Sequence, residues 1–349
     1  MSRKTVKRPT IRDVATLAKV GLMTVSRVIN QHPSVRDATR QRVQTAITQL
    51  GYQQNEAARL LKGRRAMTIG LIVPDVADPF FAICAHTVQQ IARSYGYMTL
   101  IVSSEKDSAL EVQEAELMAA RNISGLVVVT SLGNDETAVE RLQNTGLVIV
   151  ALERPLGGMR TDAVLMENHQ GARIAVQHLI DHGHRSIACI GYDPDVFTTS
   201  ERVRGYVETM RAAKLTPKVA TGINSLELTR EWLNGLRRAR RLPTAMFTSN
   251  NRVSMFMVRA LAEAGLRVPD DVALVGFDDF DLASVLSPPM TVVAQSPIEM
   301  VRRAMTLLME RIAAAGDGKD YVPAKIVLPT RLIVRASCGC KPAHTIAVE

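Results

Sequence analysis

TIRDVATLAKVGLMTVSRVIN, residues 10–30, is the stretch whose reading decides the fold. Ile11, Val14, Ala15 and Ala18 recur at helical spacing and make one apolar face. Thr10 can cap that helix, and Asp13 at its third position can answer in a capping box. Lys19-Val20-Gly21 interrupts the pattern, with Gly21 permissive of turn geometry. Leu22 to Ile29 resumes it, with Val25 and Val28 or Ile29 facing back. Two short helices joined by a tight glycine-bearing turn predict a helix-turn-helix. In that motif the second helix enters the DNA major groove with its N-terminal residues leading. Those residues here are Leu22, Met23, Ser26 and Arg27. The plain alternative is a helical hairpin inside a larger core.

Charge separates the two readings. The chain carries a net +9, but residues 1–66 hold 14 Lys and Arg against three acids, a net of +11, which leaves −2 for the remainder. A basic head on a near-neutral body is the footprint of a polyanion binder, because phosphate neutralisation and counterion release drive such binding. A third helix is expected from about Asp37 to Leu50, closed by Gly51 as its C-cap, with Tyr52 packing back on it. Residues 55–62, NEAARLLK, are helix-prone but only about two turns long, which is marginal in isolation.

The length of 349 residues allows two or three domains, and 46% hydrophobic content is ample for large cores. Aromatic content is only 4%, so those cores are aliphatic. No apolar run reaches the ~18–20 residues of a membrane span, and no hydrophobic run follows the basic start. A cytoplasmic protein without a membrane partner is expected. The four cysteines fit a reducing compartment. Cys338-Gly339-Cys340 is too close a spacing, and too isolated, to read as a metal site. The histidines, including His178, His182 and His184, read as solvated helix-end residues. No metal and no cofactor are expected.

From Met67 the texture becomes strand–helix alternation. Strand-like runs lie at 68–74, 98–103, 125–130, 147–152, 186–192, 244–250, 272–279 and 291–296. Helices are expected at 80–95, 109–121, 136–144, 169–182, 200–213, 226–238, 252–264 and 297–314, and an extended segment, KIVLPTRLIVRAS, at 325–337. Continuous Val/Ile/Leu runs are strands buried on both faces, and their alternation with helices implies parallel sheets, here two of about five or six strands. Ligands bind outside the carboxyl ends of such strands. The groups at those ends, 75–81, 130–131, 153–154, 192–193, 249–251 and 278–279, are hydrogen-bonding and aromatic rather than nucleophilic. They suit a polyhydroxylated small molecule in a cleft between two lobes.

TIRDVATLAKVGLMTVSRVIN, then LGYQQNEAARLLKG, IGLIVPDVADPFF, HLIDHGHRSIACIG and AGLRVPDDVALVGFDD, resembles the lactose-repressor/galactose-repressor (LacI/GalR) family of bacterial transcription regulators over roughly residues 8 to 335. The resemblance implies a small all-α helix-turn-helix head plus an α/β periplasmic-binding-protein-like body of two doubly wound parallel-sheet subdomains. The implied division is a head at 1–54, a hinge helix and linker at 55–66, and a first effector subdomain from 67–166 and 297–326. The second subdomain comes from 167–296 and 327–340, followed by a tail at 341–349. It implies that Leu22, Met23 and Arg27 read base edges, Arg27 as the bidentate partner of guanine and the apolar pair on thymine methyls. Thr24 and Ser26 would position phosphates, with Thr10 and Asn30 beside them. In the hinge, Leu61 would wedge into the minor groove with Ala58 and Lys62 nearby. The implied effector pocket comprises Asp78, Phe80, Phe81, Ser131, Arg154, Arg202, Asn250, Asp278 and Gln295. Arg202 and Asp278 would clamp hydroxyls or a carboxylate, and one of Phe80 and Phe81, expected to be Phe80, would face the ligand.

The departures are Asn251 where an acid is usual, Glu153 where Asp is usual, and Asp78 where Asn is frequent. The tail has no leucine heptad, so a homodimer on a pseudo-palindromic operator is expected rather than a coiled-coil tetramer. The expected function is a repressor of sugar or sugar-acid catabolic genes, released from double-stranded operator DNA by its effector. A corepressor-type regulator with a purine-like effector is the alternative. A solute-binding protein would need an export signal and no basic head. An enzyme is not expected, because G-x-G-x-x-G, Walker and G-x-S-x-G motifs are all missing.

Overall fold

Helix α1 (Ile11–Ala18) begins at the expected capping box. Thr10 N–H donates to Asp13 Oδ2 at 2.7 Å, and Asp13 N–H donates back to Thr10 Oγ1 at 3.4 Å. In the computed structural model, which describes residues 9–29, 32–52, 65–133, 135–315 and 322–340, the chain divides into two compact units, Met1–Ala66 and Met67–Glu349. In the first unit α1, α2 (Leu22–Ile29) and α3 (Asp37–Leu50) bury Val14, Ala18, Val25, Val28, Val43 and Ala46 in one small core. Ile29 and Tyr52 pack on its margin. Gly51 closes α3 in the left-handed region, φ 59°. The turn between α1 and α2 corrects one expectation. Its left-handed residue is Lys19 (φ 51°, ψ 49°) and not Gly21, which instead accepts the first backbone bonds of α2, from Thr24 and Val25 N–H. The hinge segment 55–62 lies outside the described residues.

The second unit holds two six-stranded sheets. In the first lobe the order is β2 (Met98–Ser103), β1 (Ala66–Val73), β3 (Ile123–Val128), β4 (Ile149–Leu152), β5 (Asp162–Met166) and β11 (Lys325–Leu328). Helices α4 (Pro79–Ser94) and α11 (Pro297–Ala314) cover one face, and α5 (Ser108–Ala120) and α6 (Glu136–Asn144) the other. The second lobe repeats the plan with β7 (Lys218–Ala220), β6 (Ile187–Ile190), β8 (Ala245–Thr248), β9 (Ala273–Phe277), β10 (Thr291–Ala294) and β12 (Arg331–Ile333). Its faces carry α7 (Asn168–Asp181) and α8 (Phe197–Ala212) on one side and α9 (Leu226–Arg238) and α10 (Asn251–Glu263) on the other. The central strands β3, β4, β6, β8 and β9 are buried along their whole length, which is why they read as unbroken apolar runs.

Segment 325–337 also departs from expectation. It forms two strands, one in each sheet. β11 runs parallel to β5, whereas β12 runs antiparallel to β10, so the second sheet is mixed. Pro329 falls between them, where a residue without an N–H cannot continue a ladder. Among the described residues, no helix is long and apolar enough to cross a membrane.

Candidate functional site

In both lobes the chain switches direction across the sheet between the first and third strands, β1/β3 and β6/β8, the point where open α/β sheets take ligands. The loops leaving those strands enclose a cavity of about 780 Å³ between the lobes. Eight of the expected pocket residues line it: Asp78, Phe80, Phe81, Ser131, Arg154, Arg202, Asn250 and Asp278. Gln295 does not. It stands behind Asp278 and donates to its Oδ1, so its expected role as a direct contact is corrected to that of a support.

Arg202 is the centre of the cavity wall. Gly205 lets α8 press on α7, since a Cβ there would meet the His169 carbonyl oxygen at 2.3 Å. That approach brings the Arg202 Nε to Asn168 Oδ1 at 2.8 Å. Its Nη1 donates to the Ser249 carbonyl at 2.6 Å and to Asp278 Oδ2 at 3.4 Å, and the guanidinium lies 3.7 Å from the Phe277 ring centroid. A guanidinium only 2% exposed is tolerable because it is paired and hydrogen-bonded. Its Nη2, however, is buried without a hydrogen-bond partner, as is the Ser131 hydroxyl across the cavity. Buried polar atoms are ordinarily satisfied, so two orphans on residues that line one cavity point to its wall as the place where a ligand's polar groups belong.

The strand ends are held in unusual backbone. Glu153 after β4 and Asp278 after β9 both take left-handed conformations, φ 65° and 71°, a strain that clusters at ligand sites. Arg154 reaches Glu153 Oε2 at 3.1 Å and the Thr130 carbonyl at 3.1 Å. Burial pushes the Glu153 and Asp78 carboxyls above the usual range. Asp78 also caps α4, accepting from Phe80 N–H at 3.0 Å. Asn250 uses its side-chain oxygen to cap α10, accepting from Val253 N–H at 2.9 Å. Phe81 is 7% exposed and belongs to the first lobe's core, while half-buried Phe80 stands edge-on to it. Phe80 is therefore the ring available to a ligand.

Glu111, Lys106 and Arg252 escaped the sequence reading, whereas Asp75, Tyr192 and Asn251 stand among the strand-end groups it named. Glu111 on α5 is fully buried and accepts from Thr130 Oγ1 at 2.8 Å and Ser131 N–H at 2.6 Å. Burial, only partly offset by those bonds and by Arg154, pushes its carboxyl up to about 7. Its signal was present, because Glu111, Ala115 and Met118 share one buried helical stripe. Three bridges cross the cleft: Arg252 Nη1 to Asp75 Oδ2 at 2.7 Å, Asn251 Nδ2 to Asp78 Oδ1 at 3.2 Å, and Lys106 to the Tyr192 hydroxyl, with its ammonium 4.7 Å from that ring's centroid.

In the head, successive residues of α2 turn by about 100° each. Leu22, Ser26, Met23 and Arg27 thus share an arc of about 140°, opposite the buried Val25 and Val28. Leu22 is 45% and Met23 69% exposed, and Arg27 is exposed, whereas Thr24 and Ser26 are half-buried. The exposed Thr10 side chain is engaged in its capping box. Asn30, Ala58, Leu61 and Lys62 lie outside the described residues.

A second convergence lies in the second lobe and corrects the view of Cys338-Gly339-Cys340 as isolated. Cys340 Sγ stands 2.8 Å from His182 Nε2 and 3.6 Å from His178 Nε2. The three donor atoms lie within 4.8 Å of one another.

Comparison with known proteins adds a family to this geometry. Residues 10–55 match the domain family described as bacterial regulatory proteins, lacI family, and residues 176–338 match the periplasmic binding protein-like domain. The chain is 31% identical to the HTH-type transcriptional repressor PurR of Aliivibrio salmonicida over 306 residues, 87% of this chain and 92% of that one. It is 32% identical to the transcriptional regulator CelR solved in complex with cellobiose, with a TM-score of 0.68 over 95% of this chain and 100% of that one. The Lac repressor dimer bound to operator and the anti-inducer ONPF shares the fold, with a TM-score of 0.80 at 22% identity over 95% of this chain and 99% of that one.

Proposed function

Because the chain belongs to the lacI family of bacterial regulatory proteins, whose members are ligand-responsive DNA-binding transcriptional repressors, we propose that it binds a pseudo-palindromic operator as a homodimer and is released by a neutral sugar. On the DNA side, Arg27 forks to guanine, Leu22 and Met23 meet thymine methyls, and Thr24 and Ser26 position phosphates. The hinge residues Ala58, Leu61 and Lys62 complete the reading at the minor groove.

The cleft carries the effector half of the reading. The observation behind it is a cavity of about 780 Å³ between the lobes whose lining includes Ser131 and Arg202, each with a buried polar atom that has no hydrogen-bond partner. Sugar hydroxyls accept from Arg202 and donate to Asp278, and the apolar face of the ring rests on Phe80. Charge balance favours a neutral ligand over a sugar acid. Among the described lining residues six carboxyls (Asp75, Asp78, Glu153, Asp193, Asp195, Asp278) oppose four cations (Lys106, Arg154, Arg202, Arg252). Three of the cations already contact carboxylates of the wall. Even with the raised Glu153 and Asp78 carboxyls protonated, the other four balance the four cations, so a ligand carboxylate would meet no surplus of positive charge.

The test begins by selecting the operator from random DNA with the full-length protein, then titrating the complex with neutral sugars, sugar acids and purines. A neutral sugar is expected to weaken operator binding at least about tenfold, which requires about 1.4 kcal/mol of differential affinity between the two states. Tightening by a purine would establish the corepressor alternative, and release by sugar acids alone would overturn the charge argument. Sedimentation of the free protein checks the dimer.

A further inference from the structure

The C-terminal end of α7 carries two histidines. His178 and His182 stand four residues apart, so their rings project from the same helix face; their centroids are 4.3 Å apart. His182 closes the helix, and its Nδ1 lies 2.7 Å from the His178 carbonyl oxygen. A carbonyl only accepts, so Nδ1 carries the proton and Nε2 is left with its lone pair. That lone pair faces Cys340 Sγ at 2.8 Å. A ring N–H anchored on a backbone carbonyl, with the other nitrogen presented outward, is the arrangement that orients metal-binding histidines.

The cysteines are delivered by a segment fixed independently of the histidines. Leu274 N–H donates to the Ser337 carbonyl at 2.8 Å and Thr291 N–H to Ser337 Oγ at 2.8 Å, tying residue 337 to β9 and β10. Gly339 then turns in the left-handed region, φ 89°, and returns its N–H to the Ala336 carbonyl at 3.0 Å. This turn puts the Cys340 thiol against the end of α7. Cys338 Sγ accepts from Thr291 Oγ1 at 3.2 Å and lies 3.5 Å from the Arg335 carbonyl oxygen, so its thiol is engaged within its own segment.

We propose that His178, His182 and Cys340 form a zinc-class metal site that staples the segment 336–340 to the end of α7. Two imidazoles and a thiolate, with solvent completing the tetrahedron, are a donor set for Zn²⁺. With Zn–N near 2.0–2.1 Å and Zn–S near 2.3 Å, nitrogen and sulfur donors on one ion lie about 3.5 Å apart. The His178–Cys340 distance of 3.6 Å already matches this, and the 2.8 Å His182–Cys340 contact needs only to open by a rotation of an exposed imidazole. Binding forms one S–Zn and two N–Zn bonds and releases the Cys340 thiol proton to solvent, with no change of oxidation state. The site lies at the opposite end of α7 from Asn168, which holds Arg202 in the cleft, and the proposal does not depend on which effector the cleft takes.

The experiment uses the full-length protein, reduced with a phosphine, stripped with chelator and titrated with Co²⁺ and then Zn²⁺. One equivalent of Co²⁺ per chain is expected to give thiolate-to-cobalt charge-transfer absorption with tetrahedral ligand-field bands, and Zn²⁺ to bleach them. Cys340→Ser is expected to abolish the charge-transfer band, and His182→Ala, at an exposed position that tolerates truncation, to weaken binding at least about tenfold. Zn²⁺ is expected to raise Tm in the wild type and not in His182→Ala. Absence of the thiolate band in the fully reduced wild type would overturn the proposal. So would a Cys338–Cys340 disulfide persisting under reductant, or metal binding that survives unchanged in a His182→Ala, Cys340→Ser double variant.

Discussion

Ser131 separates binding from stability within one side chain. Its hydroxyl is buried in the cleft wall without a partner, so deleting it strands no other group. Ser131→Ala is expected to keep thermal stability within about 0.5 kcal/mol of the parent. Its effector affinity should fall about fivefold, the ~1 kcal/mol of one neutral hydrogen bond, as read by calorimetric titration. Wild-type affinity in the variant would remove Ser131 from the site. Glu111, beneath it, sets a pH dependence. Burial raises its carboxyl to about 7 in the folded chain, whereas an unfolded glutamate titrates near 4.3. The folded state therefore binds the proton more tightly, and stability falls as pH rises from about 4.3 to about 7, by a few kcal/mol, then levels off. Glu111→Gln, a mimic of the protonated form, is expected to flatten this slope and to stabilise more at pH 8 than at pH 5. Denaturant midpoints across that range check it, and a parallel pair of curves would show that Glu111 does not titrate there.

Helices α1 and α2 pose their predictions as elements. Lys19 caps α1 in a left-handed conformation that costs a non-glycine residue about 1–2 kcal/mol. Lys19→Gly is thus expected to stabilise the head by about 0.5–1 kcal/mol, the gain reduced by the extra freedom of glycine in the unfolded chain. Slower hydrogen exchange across α1 would report it, and faster exchange would refute it. On α2, Met23 and Val25 are near neighbours on opposite faces, 69% and 0% exposed. Met23→Ala is expected to alter sequence preference in a randomised-operator selection with little change in melting. Val25→Ala is expected to cost about 2 kcal/mol of head stability, a cavity effect. The elements most legible in the sequence share a cause with this contrast. Helices such as α3, α6 and α9 and the buried central strands repeat an apolar period long enough to read. The strands β7 and β12 have only three residues each and lie at the sheet edges, where no such period develops. The cleft was legible where it depends on strand ends, as at Ser131 and Asp278, whereas Arg202, inside α8, came only through the resemblance. It was opaque where partners come from distant segments, as with Lys106 and Tyr192, or with His182 and Cys340, which stand 158 residues apart.

At the scale of the molecule, the cleft bridges and the effector act on the same equilibrium. Arg252 with Asp75, Asn251 with Asp78 and Lys106 with Tyr192 form only while the two lobes face one another. A ligand lodged between Ser131 on one lobe and Arg202 on the other favours that same arrangement, so each bridge contributes to effector affinity by linkage. Burial alone would raise the Asp75 carboxyl, yet the Ala77 N–H and Arg252 hold it below the usual range. The bridge therefore stands at neutral pH and is lost only as acid protonates Asp75. Both side chains are about one-third exposed, and pairs of that kind contribute at most about 1 kcal/mol. Arg252→Ala is accordingly expected to weaken effector binding by about two- to fivefold at low salt and by less as ionic strength screens the pair. Both residues also line the cavity, so a direct contact could mimic this loss. A double-mutant cycle with Asp75→Ala separates the two cases. A bridge makes the two losses non-additive, because either single change already breaks the pair. Strictly additive losses, or affinity indifferent to salt, would show that Arg252 touches the ligand and does not hold the lobes together.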